Sequence, residues 1–284
     1  MRTKLIRLAI ACGKHPVMVQ LSKNGRLCAM RRAALLFFIL SLIAVIVGCG
    51  PKGDPKETIQ AYYDNVMNAN YDAAYELLAE ADRKATSKED FALFMELNAK
   101  IYKLDAVEVK EADKTGDSVV FEVTEKQRSY TEGKDKSNTY KRSAIVENGE
   151  WKVFADKVYG DNIAGQMVSI GQMHLNGLGE TKENPNEAAM WFNKALKRDS
   201  TQNTANFGLA LSYMKLGRFE ESIAAATKFV ESETENVRKS DALNVLGVTY
   251  EAMGDAAKAK EAFQKAVELN PENEYAKTNL NRYK

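Results

Sequence analysis

Between residues 163 and 273 the sequence copies itself. In ALNVLGVTYEAMGDAAKAKEAFQKAVELNP, which starts at Ala242, the pattern is set by Leu243, Leu246, Gly247, Tyr250, Gly254, Ala259, Phe263, Ala266 and Pro271. Thirty-seven residues earlier, ANFGLALSYMKLGRFEESIAAATKFV places Leu209, Ala210, Tyr213, Gly217, Ser222, Ala226 and Phe229 at the corresponding points. Further upstream, GQMHLNGLGETKENPNEAAMWFNKAL supplies Gly171, Ala188, Phe192 and Ala195. Each copy is a pair of segments with helical period, separated by a turn. One such pair cannot bury its apolar face alone, so the copies must stack and share a core.

These positions resemble the tetratricopeptide consensus. Small residues at Gly247, Ala259 and Ala266 let paired helices approach, while Tyr250 and Phe263 fill the space between repeats. Leu246, Tyr250 and Phe263 are therefore expected in the core. The second copy departs by carrying Ala226 in place of the large aromatic and by a connection three residues longer. In the first copy Gly171 and Ala188 are 17 residues apart, against 12 for Gly247 and Ala259. That long turn, with Gly177, Gly179, Trp191 and Phe192, resembles the Sel-type repeat, and Asn184-Pro185 restarts the second helix of its pair. Three helix pairs are predicted over 163–273, followed by a capping helix over 274–284 in which Tyr275, Ala276, Leu280 and Tyr283 cover the last repeat.

Stacks of this family curve, and the first helix of each pair lines the concave side. By register that side holds Val168, Gln172, Leu175, Phe207, Leu211, Met214, Asn244, Val248 and Glu251. A groove of Phe207, Leu211, Met214, Asn244, Val248 and Glu251 suits an extended or helical peptide. Phe207 and Met214 are expected away from the seam within the repeat; the alternative is that they pack on the domain before them. The basic clamp that some relatives use for a C-terminal carboxylate is missing: Asn244 fits one of its positions and Val248 does not. His174, in place of an aromatic, reads as a packed edge residue.

Upstream of the repeats the pattern changes. Asp54 is a good N-cap, Pro55 suits the first helical position, and Ile59, Tyr62, Tyr63 and Val66 recur at helical spacing. NANYDAAYELLAEA restarts the helix, and Ser87 caps a third over FALFMELNAKIY. From Leu104 the period becomes two: Val107 and Val109, then Val119, Phe121 and Val123, then Tyr140 to Val146 and a hairpin at Asn148-Gly149. Three helices followed by four antiparallel strands, closed by NGEWKVF, resemble the nuclear transport factor 2-like cone fold over 54–160. The fold class expected is thus an α+β cone-type domain, with three helices on a curved antiparallel sheet, followed by an all-α tetratricopeptide-type solenoid. Relatives of the cone use its cavity for ligands, dimerisation or catalysis. Catalysis of the ketosteroid-isomerase type requires a buried acid and a hydrogen-bonding tyrosine, for which Tyr62, Tyr63, Tyr75 and Asp64 are the candidates. The simpler account packs these rings with their hydroxyls at the surface.

The N-terminus addresses location. Arg31 and Arg32 precede an apolar run from Ala33 to Val47 that is shorter than the roughly 20 residues a transmembrane helix needs. A basic flank before a short apolar run is the layout of a secretory signal. Ile46-Val47-Gly48-Cys49 resembles the lipobox of bacterial lipoproteins, which implies cleavage before Cys49 and acylation of its thiol and new N-terminus. Two or more acyl chains hold stably, at about 0.8 kcal/mol per buried CH₂. The expected plan is a leader over 1–48 with its start at Met30, a lipidated tether over 49–53, and a protein facing the periplasm or exterior. In a two-membrane organism the outer membrane is expected, since Gly50 and not Asp follows Cys49.

Charge and composition then narrow the function. Eight of the 40 basic residues and none of the 39 acidic ones lie in 1–48, so the chain beyond carries a net charge of −7. A mildly acidic chain without a basic cluster is a poor nucleic-acid binder. Cys12 and Cys28 fall in the leader, Cys49 is the lipid site and His174 is the one histidine beyond it. This leaves no set for disulfides, thiolate chemistry or multi-histidine metal sites. No enzyme activity, metal or cofactor is expected. The function expected is a membrane-anchored scaffold or adaptor for protein partners of the bacterial cell envelope; the alternative is a small-molecule or peptide binder using the cone cavity.

Overall fold

A computed structural model describes residues 7–10, 17–20 and 50–283. Backbone contacts divide the chain into Met1–Gly53 with Asn148–Glu150, and Asp54–Glu147 with Trp151–Lys284. In the first unit, β1 (Arg7–Ile10) pairs antiparallel with β2 (Val17–Gln20), and the Lys52 N–H donates to the Gly149 carbonyl at 2.8 Å. The apolar run Ala33–Val47 and Cys49, the residue expected to be lipidated, lie outside the described residues. Among those described, no helix is long and apolar enough to cross a membrane.

The second unit begins as the capping residues direct. Helix α1 (Pro55–Met67) starts where the Asp54 carboxylate accepts from the Lys56 and Glu57 N–H groups at 2.7 and 3.1 Å. These bonds satisfy two of the free donors that every helix start exposes. Where one restarted helix was expected, two short ones form, α2 (Tyr71–Glu76) and α3 (Glu80–Ala85). The reason is the sheet edge. The Val153 N–H donates to the Leu77 carbonyl and the Ala79 N–H to the Val153 carbonyl, both at 2.8 Å, so the edge strand captures Leu78 in a parallel bridge. Helix α4 (Lys88–Ile101) begins as expected, with Ser87 Oγ accepting from the Asp90 N–H at 3.1 Å.

The sheet is a meander of β3 (Tyr102–Thr115), β4 (Ser118–Ser129), β5 (Lys134–Glu147) and β6 (Glu150–Phe154), hydrogen-bonded in that order. Its inward face follows the expected alternation: Val119, Phe121 and Val123 are fully buried against α1 and α4 residues such as Ile59, Tyr62 and Phe91. The turn at Asn148-Gly149 has positive φ at both residues, 53° and 80°, the geometry that a two-residue hairpin demands.

Three helix pairs follow: α5 (Ile163–Asn176) with α6 (Pro185–Arg198), α7 (Asn203–Lys215) with α8 (Phe219–Ser232), and α9 (Asn236–Ala252) with α10 (Ala256–Leu269). The short α11 (Glu274–Asn281) ends the stack. Close helix approach is visible at the glycines. A Cβ on Gly247 would sit 2.4 Å from the Phe263 ring, and Phe192 fills the space a Cβ would need at both Gly171 (2.7 Å) and Gly208 (2.3 Å). Leu246 and Phe263 are core as expected, whereas Tyr250 is only half-buried, its ring lying under the Lys258 ammonium. Asn273 is buried; it caps α11 through the Ala276 N–H at 3.0 Å and donates to Ser240 Oγ at 2.9 Å.

One buried apolar cluster runs from Ile59 through Tyr159 and Ile163 to Ala276. Helix α4 packs on α5, and Arg198 on α6 meets Asp90 on α4 at 2.7 Å. The long turn of the first repeat closes on the β4–β5 hairpin: a Cβ on Gly179, whose φ is +67°, would lie 2.8 Å from the Tyr130 carbonyl oxygen.

Candidate functional site

Two places answer the sequence expectations, the concave side of the repeats and the interior of the sheet domain. On the repeats, Phe207, Leu211, Met214, Asn244, Val248 and Glu251 are all half-buried, and Val168 and Leu175 are buried outright. Phe207 departs from the expected orientation. Its ring packs 5.1 Å from that of Phe229 on α8, so it lies on the seam of its own repeat. Arg238 in turn lies over Phe229, at 5.3 Å from the ring centre. The polar end of the groove is engaged by the chain's own C-terminus. Asn244 accepts from Asn279 at 2.7 Å, and Glu251 accepts from Arg282 at 2.5 Å and Tyr283 at 2.9 Å. The face left open is thus shorter than register implies, and Leu211, Met214 and Val248 are its apolar part.

The interior of the sheet domain holds a cavity of about 740 Å³. The segment after β6 is fixed beside it by the buried Asp82, whose carboxylate accepts from the Ala155 N–H at 2.7 Å and the Lys157 N–H at 3.3 Å. Thr86 Oγ1 accepts from the Tyr159 N–H at 3.0 Å. These bonds position Lys157 and Tyr159 on the cavity wall. The opposite wall comes from the sheet register. Val119, Phe121 and Val123 on β4 are followed at the same spacing by Glu125, and Ala144 on β5 is preceded by Arg142 and Tyr140.

The polar groups form one isolated pair and one longer chain of hydrogen bonds. Tyr62 and Tyr159 share a hydrogen bond at 3.1 Å, Tyr63 and Tyr140 one at 2.7 Å, and the Tyr140 hydroxyl donates to Glu125. Arg142 Nε donates to the Tyr63 hydroxyl at 3.3 Å and Nη1 to the Ala155 carbonyl at 2.7 Å. The Lys157 ammonium lies 4.4 Å from the Phe94 ring centre. Although Lys157 is an exposed residue overall, desolvation of its ammonium and then the Arg142 charge lower its pKa.

The structure corrects the expectation that the helix tyrosines carry their hydroxyls at the surface. Tyr62 and Tyr63 are buried and bonded inward, the half-buried Tyr75 donates to the Arg83 and Thr86 carbonyls, and Asp64 is exposed and pairs with Gln60. The cavity residues Glu125, Tyr140, Arg142, Lys157 and Tyr159 were missed by sequence reasoning. The signal for three of them is the strand alternation itself, which puts Glu125, Tyr140 and Arg142 in the inward register.

Burial raises the phenol pKa values of Tyr62, Tyr63 and Tyr140, and pushes that of Tyr159 up to about 12. A group whose pKa is raised on folding holds its proton more tightly in the folded state. Its stabilisation is intact below the unfolded value near 10 and is lost as pH rises through the folded value. Phenolate absorbance is therefore expected to show these four rings, among twelve tyrosines, still protonated after the exposed ones have ionised, with folding stability falling from about pH 10 upward. Joint titration of all twelve near pH 10 on the folded chain would contradict the burial described.

Among the described residues no three or more of His, Cys, Asp and Glu cluster so as to hold a metal ion. Comparison with known proteins bears on the repeats. Residues 204–236 and 240–273 each match a family model described as tetratricopeptide repeat. No curated protein matches the chain. Among solved structures, the TPR domain of Arabidopsis OM64 is 22% identical with a TM-score of 0.39, covering 43% of this chain and 95% of that one. MamA is 22% identical with a TM-score of 0.38, over 42% of this chain and 66% of its own. The N-terminal domain of stress-induced protein-1 from C. elegans is 17% identical with a TM-score of 0.38, over 44% and 98%. The second and third helix pairs of the stack are thus tetratricopeptide repeats, the type of unit on which protein–protein interaction scaffolds are built.

Proposed function

We propose that the chain is a lipid-anchored adaptor that holds a protein partner in the bacterial cell envelope. The observation that carries this reading is the repeat match at 204–236 and 240–273, because stacked helix pairs present an extended helical face to a partner. Anchoring rests on the sequence alone: the basic flank, the run Ala33–Val47 and Cys49. Helices α1 to α4 with the four-stranded sheet are proposed to be a nuclear transport factor 2-like cone, which spaces the repeats from the membrane. No catalysis is assigned to it.

The partner is placed on Leu211, Met214 and Val248, which a peptide can reach beside the engaged end of the groove. Apolar residues near the centre of an interface carry most of its binding energy. Leu211→Ala with Met214→Ala, both half-buried, is expected to keep the far-ultraviolet dichroism and a cooperative melt while site-specific crosslinks to envelope proteins in native membranes disappear. A folded double variant that retains every crosslink would remove the groove from the proposal.

A second reading, ligand binding in the sheet-domain cavity, is favoured by one specific observation. Arg142 lines a cavity of about 740 Å³, and its guanidinium donates to two neutral acceptors, the Tyr63 hydroxyl and the Ala155 carbonyl. Volumes of this order are typical of small-molecule sites.

A further inference from the structure

We infer that the cavity of the sheet domain is a binding site for a small monocarboxylate with an apolar or aromatic body, with Arg142 as the carboxylate anchor. This inference rests on the second reading above and names the ligand's chemistry.

The first argument is the state of Arg142. Its guanidinium is held on two sides, by the Tyr63 hydroxyl at 3.3 Å and the Ala155 carbonyl at 2.7 Å, and its carbon lies 5.1 Å from the Tyr140 ring centre. Both named acceptors are neutral. Placing a permanent cation in a protein interior is unfavourable unless an anion offsets it. The carboxylate on the same wall, Glu125, accepts instead from Tyr140. The carboxylate nearest on that wall is therefore bonded elsewhere, and Nη2 has no acceptor among the described residues.

The second argument is geometry. A guanidinium offers parallel N–H groups that match the two oxygens of a carboxylate, and one fixed in place before binding loses little freedom on binding. Tyr63 and Ala155 supply that fixing, and Asp82 fixes Ala155 in turn through its N–H. Lys157 adds a second cation, whose ammonium lies over the Phe94 ring and has no ion-pair partner among the described residues. Arg142, Lys157, Lys103 and Lys141 outnumber Glu125 and Asp156 in the lining, so the cavity carries net positive charge, which suits an anion.

The third argument is the rest of the lining. Val66, Phe94 and Met95 form the apolar side, and Met67, 38% exposed, marks where the cavity meets solvent. A ligand entering there places its apolar body against these side chains and its charged end on Arg142. A highly charged metabolite would leave that side unmatched.

The test is calorimetric titration of the purified full chain with 4-phenylbutyrate and with its neutral analogue 4-phenylbutyramide. The acid is expected to bind, and the amide to bind about 10- to 100-fold more weakly, since a hydrogen bond to a charged group contributes roughly 1.5–3 kcal/mol. Arg142→Gln should reduce the acid's affinity by a similar factor and leave the amide's unchanged. Should Arg142→Gln fail to fold, Arg142→Lys and Lys157→Ala serve instead, each expected to weaken the acid selectively. Equal affinity for acid and amide would overturn the carboxylate assignment while keeping the cavity as a ligand site. Binding of neither probe would overturn both readings.

Discussion

Phe192→Ala is expected to destabilise the chain by about 3–5 kcal/mol, the range for removing a large aromatic from a packed core. Phe192 is fully buried, and its ring fills the space beside two glycines on different helices, Gly171 on α5 and Gly208 on α7. Neither glycine has a side chain that could turn into the void, so the cavity term is retained in full. The measurement is urea unfolding followed by helical dichroism, with a lower midpoint at unchanged slope. Because one apolar cluster runs from Ile59 to Ala276, the sheet domain and the repeats should unfold in a single transition, in the variant as in the parent. A loss below about 1 kcal/mol would mean that α5 and α7 close over the gap, which the tight approach at both glycines argues against.

Cys49→Ala is expected to act without touching the fold. Metabolic labelling with a fatty acid should fall to background, and a precursor retaining the leader should accumulate. Acyl chains contribute about 0.8 kcal/mol per buried CH₂, so on the proposed reading the variant is expected to leave the membrane fraction. The mature N-terminus, read by mass spectrometry, decides the matter: anything other than an acylated Cys49 refutes the anchor. A chain begun at Met30 should give the same mature product.

The repeats were legible because their constraint is repetitive. Gly247, Ala259, Phe263 and Ala266 each fill a steric role that the spacing alone identifies, and they lie where that role places them. The capping residues Asp54, Ser87 and Asn184 were legible for a similar reason, since each helix start exposes the same free donors. What escaped were contacts made by distant segments. The split between α2 and α3 is set by hydrogen bonds from Val153, some 75 residues away, and no local propensity announces it. Phe207 looked free because register describes one helix at a time, whereas its ring is claimed by Phe229 on the next. Arg142 was passed over although the alternation of β5 turns it inward, because a cation in that register contradicts the simple reading of a strand's buried face. Contradictions of that kind mark places where function competes with packing.

The two ends of the stack are closed differently from its middle. Helix α5 is covered by α4, the turn after α5 meets the hairpin carrying Tyr130, and α10 is covered by α11, which Asn273 keys to Ser240. A helical array with a bare end can template another copy of itself and grow into a filament. Among the described residues both ends of the stack are covered in this way. Evolution could lengthen it only from within: a duplicated helix pair spliced between Ser232 and Asn236 would meet repeat surfaces on both sides. One added after Leu269 would displace α11 from its seat and leave the new terminus bare. The closed ends thus make the length of the stack a quantity set at its interior junctions.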